Sequence, residues 1–296
     1  MTSTPGEWDI VTSVGITALG VAAARAIETH REEPLVSDPY AARFVRAAKP
    51  PNPMPTTPAE AAALVDHEGL WVLNSAYMAV RTRFFDDYFR RATDDGVRQA
   101  VILAAGLDSR AFRLDWPQGT AIYEVDQPKV LEFKQEVLDE QGATARGTRR
   151  TVPVDLRDNW SAALLDAGFV PDEPTAWLAE GLLPYLPPEA EQLLLDTIDK
   201  YSGPGSWLSV EQPIDMARML DDAQVGDVAT QWGVDIRSLI HDDARPDAKD
   251  TLRSLGWEIV DECAADVARR YGRNLDEELD RMFAVSRYVI GRRAAQ

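Results

Sequence analysis

Val101-Ile102-Leu103-Ala104-Ala105-Gly106 is an apolar run that ends in a turn of small residues, and Leu107-Asp108-Ser109-Arg110 carries the chain away from it. A short apolar run closed by a glycine turn fits a strand buried on both faces. Small residues let a ligand approach the backbone closely, and Gly106 permits a positive φ. The segment from about Ser109 reads as a helix whose positive N-terminal end would face that turn. Taken alone, a glycine turn after a buried strand is more often structural than ligand-binding.

Outward from this unit, short apolar runs alternate with amphipathic segments. Strand candidates are 119–126, 150–155, 175–180, 206–211, 257–262 and 286–292, with helices at 128–140, 160–167 and 187–201. Such alternation predicts an α/β fold with a mostly parallel, doubly wound sheet. Right-handed crossovers then bring the C-terminal strand ends to one edge, where ligands bind. Residues 1–95 read as a helical cover and residues 96–296 as the core, with an Asp-rich helical lid inserted at about 212–250. Within the cover, Thr12-Ser13 can cap a helix through Ile27. Asp38-Pro39 can start another that presents Tyr40, Phe44 and Val45 on one face. The proline-rich run from Lys49 to Pro55 excludes helix. A third helix is expected from about Pro58 through Arg91, broken near Gly69.

Three successive strands end in an acid just before a turn. Glu124-Val125-Asp126 closes the second, and Asp126 lies about 20 residues beyond the glycine turn, the spacing of a carboxylate that holds ribose hydroxyls. Glu124 shares its strand parity and can face the same side. Asp155-Leu156 ends the third strand and pairs an amine acceptor with a flat apolar contact, which suits adenine. Glu180 ends the fourth, followed by Gly181-Leu182-Leu183-Pro184-Tyr185-Leu186, in which Tyr185 lines a substrate pocket or packs in the core. Together these acids call for a ligand rich in donors: ribose hydroxyls, an adenine amine and an α-amino group. A phosphate-binding loop of the Gly-x-x-x-x-Gly-Lys-Ser/Thr type is absent. The first turn also lacks the glycines of Gly-x-Gly-x-x-Gly, and Asp108 would repel a pyrophosphate there.

Composition narrows the partners. The net charge of −18 argues against nucleic acid and acidic lipid surfaces. A single cysteine, Cys263, excludes an intramolecular disulfide and a cysteine-based zinc site, and suits a cytoplasmic protein. His30, His67 and His241 are far apart, so no metal is expected. The apolar segment 14–26 contains Arg25 and reads as a buried helix rather than a signal peptide or membrane span.

The sequence resembles the leucine carboxyl methyltransferase family, and within it an actinobacterial branch of S-adenosylmethionine-dependent methyltransferases. The resemblance rests on Trp8–Gly15, Asp38–Ala41, Arg81–Asp86, Leu103–Leu114, Tyr123–Pro128, Asp155-Leu156 and Glu180–Leu186. It implies a seven-stranded class I methyltransferase sheet (Rossmann-like) with an antiparallel last strand. In that setting Arg81 would pair with the methionine carboxylate of S-adenosylmethionine, with Arg83 competing for the role. The turn at Ala104–Gly106 would approach the cofactor and Asp126 would hold the ribose. Asp155 and Leu156 would hold adenine, and Glu180 would lie near the amino group or the transferred methyl. Ala104 departs from the family's Leu-Gly-Ala-Gly. If the position needs φ > 0, the replacement costs about 1 kcal/mol or more.

The expected reaction is O-methylation of a small-molecule carboxylate or hydroxyl, with Glu180 and Tyr185 nearest the chemistry. No residue stands out as an obligatory base, which favours a carboxylate or an acidic hydroxyl. Two rivals share the sheet: a catalytically weak regulatory protein that keeps the cofactor pocket, and a nicotinamide-dependent oxidoreductase. The second lacks both its glycine-rich turn and a Tyr-x-x-x-Lys pair. No sequence motif specifies an oligomeric state.

Overall fold

The computed structural model describes residues 10, 13–64, 68–214 and 235–294. Seven strands form one sheet: β1 (Gln99–Leu103), β2 (Ala121–Asp126), β3 (Thr148–Pro153), β4 (Thr175–Ala179), β5 (Trp207–Pro213), β6 (Glu258–Cys263) and β7 (Ser286–Arg292). Their spatial order is β3-β2-β1-β4-β5-β7-β6. β1 to β5 pair in parallel, while β7 runs antiparallel to both its neighbours. All seven expected strands are present, and the fold is of the class I, Rossmann-like type.

Physical reasons for this order are visible in β1. Every one of its residues is buried, as a central parallel strand requires. Ala100 and Ile102 join the apolar cluster on one face, and Val101 and Leu103 join the cluster on the other. On the first face lie α1 (Ser13–Thr29), α2 (Ala41–Ala48), α3 (Pro58–Ala62) and the long α4 (Glu68–Asp94). α5 (Arg110–Arg113) and α6 (Pro128–Glu140) add to that layer. On the second face lie α7 (Trp160–Asp166), α8 (Pro188–Lys200) and α9 (Ala248–Ser254). α10 (Ala264–Arg270) and α11 (Glu277–Phe283) complete the first layer.

One local expectation needs correction. The helix after the glycine turn is one turn long, Arg110–Arg113, too short to present a useful helix dipole, because Leu114 returns to extended backbone. The helix expected from Pro58 does break near Gly69, with α3 ending at Ala62 and α4 starting at Glu68. Its break therefore precedes Gly69. Thr12, proposed as a cap, and residues 215–234 of the expected lid lie outside the described residues. Asp38 does start α2: its Oδ1 accepts from the backbone N–H of Tyr40 at 3.1 Å and of Ala41 at 3.2 Å. Among the described residues no helix is long and apolar enough to cross a membrane.

Ala104 adopts φ 49°, the left-handed region, beside Gly106 at φ 46°. An L-residue there costs roughly 1–2 kcal/mol, whereas glycine costs about 0.4–1 kcal/mol through a looser unfolded chain. Ala104→Gly is therefore expected to stabilise the protein by about 0.5–1 kcal/mol. Urea unfolding measures it, and a destabilised variant would contradict the strain.

Candidate active site

Strand order reverses between β1 and β4: the chain steps outward from β1 to β2 and β3, then returns to the other side of β1. Crevices at such a switch point are where open α/β sheets bind ligands. Here the crevice is a cavity of about 730 Å³, toward the upper end of the roughly 300–1,000 Å³ of ligand pockets. Arg81, Ala104, Gly106, Asp126, Asp155, Leu156, Glu180 and Tyr185 all line it. The sequence-predicted residues thus converge from five separate segments on one space.

The turn after β1 is held from two sides. Asp126 Oδ2 accepts the Gly106 N–H at 2.6 Å, and its Oδ1 accepts the Gln127 N–H at 2.7 Å. Arg25, on α1, donates through Nη2 to the Leu107 carbonyl at 2.7 Å while its Nε holds Asp38 at 2.9 Å. Burial pushes the Asp126 carboxyl above its ordinary value, more than these backbone N–H groups pull it down. Glu124, by contrast, does not share the site. It is fully buried and ion-paired with Lys134 at 2.8 Å and Arg149 at 2.7 Å. Equal strand parity put both acids on one face, but Lys134 of α6 closes that face over Glu124.

Asp155 sits two residues past β3. The Arg157 side chain clamps it, donating from Nε at 2.9 Å and Nη2 at 2.6 Å, and holds its carboxyl below the usual range. Tyr185 lies in the 3-10 turn Leu183–Tyr185 after β4; burial raises its phenol, partly offset by a hydrogen bond with Thr17.

Behind the β4 end runs a buried ionic network. Arg81 donates from Nε to Glu180 at 2.8 Å and from Nη1 to Glu211 at 3.1 Å. Arg110, 2% exposed, bridges Asp86 at 2.8 Å, Glu180 at 2.7 Å and Asp108. Arg113 also holds Asp86. Burial alone would raise the carboxyl of Glu180, but Arg110 and then Arg81 outweigh it and hold it below the ordinary value. Asp108 is held down to about 2: Arg110, then Lys134, overcome its burial. Arg83 lies outside the cavity lining, paired with Asp87 on its own helix at 3.0 Å.

These depressed carboxyls predict an acid limit on stability. A group lowered on folding contributes stability fully present above its unfolded value and lost as pH falls through its folded value. For Asp108, from 3.8 to about 2, that contribution is about 2 kcal/mol. Asp86 and Glu180 shift the same way and Asp126 the opposite way. Urea midpoints are expected to fall between about pH 4.5 and 2. A flat profile there would contradict the network.

Sequence reasoning missed Asn74, Tyr77 and Glu211, which line the same cavity. Asn74, Tyr77, Met78 and Arg81 follow the i, i+3, i+4, i+7 spacing of one helix face. Glu211 lies near the end of β5, so the strand-end rule that selected the other acids would have found it. Among the described residues no group of three or more His, Cys, Asp or Glu could hold a metal ion.

The chain is similar to several known proteins. A relative from Saccharopolyspora erythraea is 48% identical over 97% of this chain and 98% of its own. One from Mycolicibacterium smegmatis is 47% identical over 98% of each. Both are named "Putative S-adenosyl-L-methionine-dependent methyltransferase". The fold is similar to the crystal structure of a "putative methyltransferase" from Thermobifida fusca, with a TM-score of 0.54 at 17% identity over 94% of each chain. The sequence model of leucine carboxyl methyltransferase matches residues 18–199. The chain belongs to the leucine carboxyl methyltransferase family.

Proposed function

We infer that this chain is an S-adenosyl-L-methionine-dependent methyltransferase that methylates an oxygen of a small molecule. The observation that carries the reading is the row of polar groups along one sheet edge, in spatial order: Asp155 after β3, Asp126 on β2, the turn after β1, Glu180 after β4. Neighbouring strands are about 4.8 Å apart, so this row matches an extended nucleoside with an amino-acid tail.

The residues fit that cofactor. Asp126 accepts the ribose hydroxyls with the lone pairs left by Gly106 and Gln127. Asp155 takes the adenine amine, and Leu156 packs on the ring. Arg81 meets the methionine carboxylate through Nη2, which makes no hydrogen bond among the described residues. Glu180, fixed by two arginines, faces the amino group. Tyr185 walls the site near the reacting oxygen. When bound, the cofactor supplies an electrophilic methyl carbon on a sulfonium sulfur. The protein contributes alignment and exclusion of water. The described helices α1 to α4 act as a cover over this edge of the 96–296 core. The charge of −18 favours a small-molecule acceptor over nucleic acid.

Labelled S-adenosylmethionine and a panel of hydroxyl and carboxyl compounds test the reading. Transfer of label to an oxygen of at least one compound is expected, and transfer to none would contradict it. One observation favours the second reading, a weakly active regulatory protein: the left-handed Ala104 in the cofactor turn. In that case Ala104→Gly restores turnover rather than stability alone.

A further inference from the structure

The cavity extends beyond the part assigned to the cofactor. Its remaining walls come from the other side of the switch point: Glu211 and Pro213 of β5, Val285 and Ser286 at β7, Met282 of α11, and the α4 face. Asn74 sits two turns before Arg81 on α4, roughly 10 Å along the axis. This half of the cavity is mostly apolar, with Ile10, Met78, Leu186, Ile240, Met282 and Val285 in its wall.

Two polar features there are not used by the cofactor. Asn74 is 6% exposed, and its Nδ2 is enclosed with no hydrogen-bond partner among the described residues. Buried amides are normally satisfied, so an enclosed donor lining a cavity marks a place for a ligand oxygen. Glu211 differs from Glu180 in what its oxygens hold. Both oxygens of Glu180 face guanidinium groups. Oε1 of Glu211 accepts the Tyr77 O–H at 2.6 Å and only a long N–H contact from Arg81 Nη1 at 3.5 Å, so its short bond is to a hydroxyl. A hydroxyl that approaches from the cavity finds on that oxygen a carboxylate lone pair not taken by a short guanidinium bond.

Charge selects between acceptor classes. The network beside this half holds four carboxylates, Glu211, Glu180, Asp108 and Asp86, against three guanidinium groups, Arg81, Arg110 and Arg113. Its net charge of −1 is offset by the net positive charge of the bound sulfonium cofactor, and the one arginine at the cavity wall there is committed to the cofactor. An anionic acceptor would be desolvated in a mostly apolar wall with no uncommitted cation there among the described residues, whereas an uncharged one bears no such cost.

Resting on the methyltransferase reading above, we propose that the half of the cavity over β4, β5 and β7 takes an uncharged, largely apolar alcohol or phenol, anchored by Asn74 and deprotonated by Glu211. As the acceptor oxygen bonds to the methyl carbon, its O–H bond breaks and the proton passes to the Glu211 carboxylate. The carbon–sulfur bond breaks with its electron pair left on sulfur, so a neutral ether and a neutral thioether result. A carboxylate acceptor has no proton to lose and would not need Glu211.

The test uses three matched pairs of probes, each an alcohol or phenol and the carboxylic acid of the same skeleton: naphthyl, decyl and phenylpropyl. Binding is measured by calorimetry on protein saturated with the demethylated cofactor product, and turnover with labelled S-adenosylmethionine. The hydroxyl member of at least one pair is expected to bind at least tenfold tighter than its acid and to be methylated. At saturating cofactor Glu211→Gln should lower kcat on that compound about 100-fold; because Glu211 also holds Arg81, the cofactor dissociation constant is measured alongside and should rise less than about tenfold. Asn74→Leu should raise KM for it about tenfold. Tighter binding of the acids, binding by no member, or full turnover by Glu211→Gln overturns the proposal. Failure of the protein to bind S-adenosylmethionine at all would instead overturn the methyltransferase reading.

Discussion

Replacing Asp126 by alanine is expected to raise the dissociation constant for S-adenosylmethionine at least 100-fold. Two ribose hydroxyls donating to an ionised carboxylate are worth about 1.5–3 kcal/mol each, which together corresponds to roughly 10²–10⁴ in affinity. The same substitution also frees the Gly106 N–H, which Asp126 holds at 2.6 Å, so the cofactor turn loses its tie to β2. Asp126→Asn separates the two effects. It keeps an oxygen for Gly106 but not the charge, and a loss of about tenfold is expected. Calorimetry on variants with unchanged circular dichroism measures both. Unchanged affinity in the alanine variant would remove Asp126 from the ribose site.

The largest effect on stability is expected at Arg110. Arg110→Met keeps most of the volume but leaves Asp108 and Glu180 short of a buried guanidinium, and Asp86 with Arg113 alone. Breaking a buried pair by removing one partner costs about 3–5 kcal/mol, because the remaining charge stays desolvated. Urea unfolding at pH 7 should show that loss. The gap between variant and wild type should narrow as pH falls toward 3, where the stranded carboxyls take up protons. A cost below about 1 kcal/mol at pH 7 would mean that the network is replaceable.

Much of this was legible in the sequence for a physical reason. Parallel strands buried on both faces read as apolar runs, and their ends are marked by the acids that line the crevice. Asp126, Asp155 and Glu180 were found in this way. α4 resisted the same reading. It is apolar on several sides, so the turn of the helix that faces the cavity does not stand out until Asn74, Tyr77 and Arg81 are seen on one stripe. Strand parity mispaired Glu124 with Asp126, since a buried lysine from α6 is invisible to a two-residue period. The shortness of α5 was also hidden, because Arg110 is drawn into ion pairs that no local propensity encodes. The departure at Ala104 was legible as a substitution, but only the backbone shows that it stands at φ 49°.

A crystal structure of the protein with bound S-adenosylmethionine, or with its demethylated product, tests the central claim most directly. The account predicts both ribose hydroxyls on Asp126, adenine against Leu156 with its amine at Asp155, and the methionine carboxylate at Arg81. The methyl-bearing sulfur should face Tyr185 and Glu211. A ligand bound elsewhere, or in this cavity with its ribose away from Asp126, would contradict it.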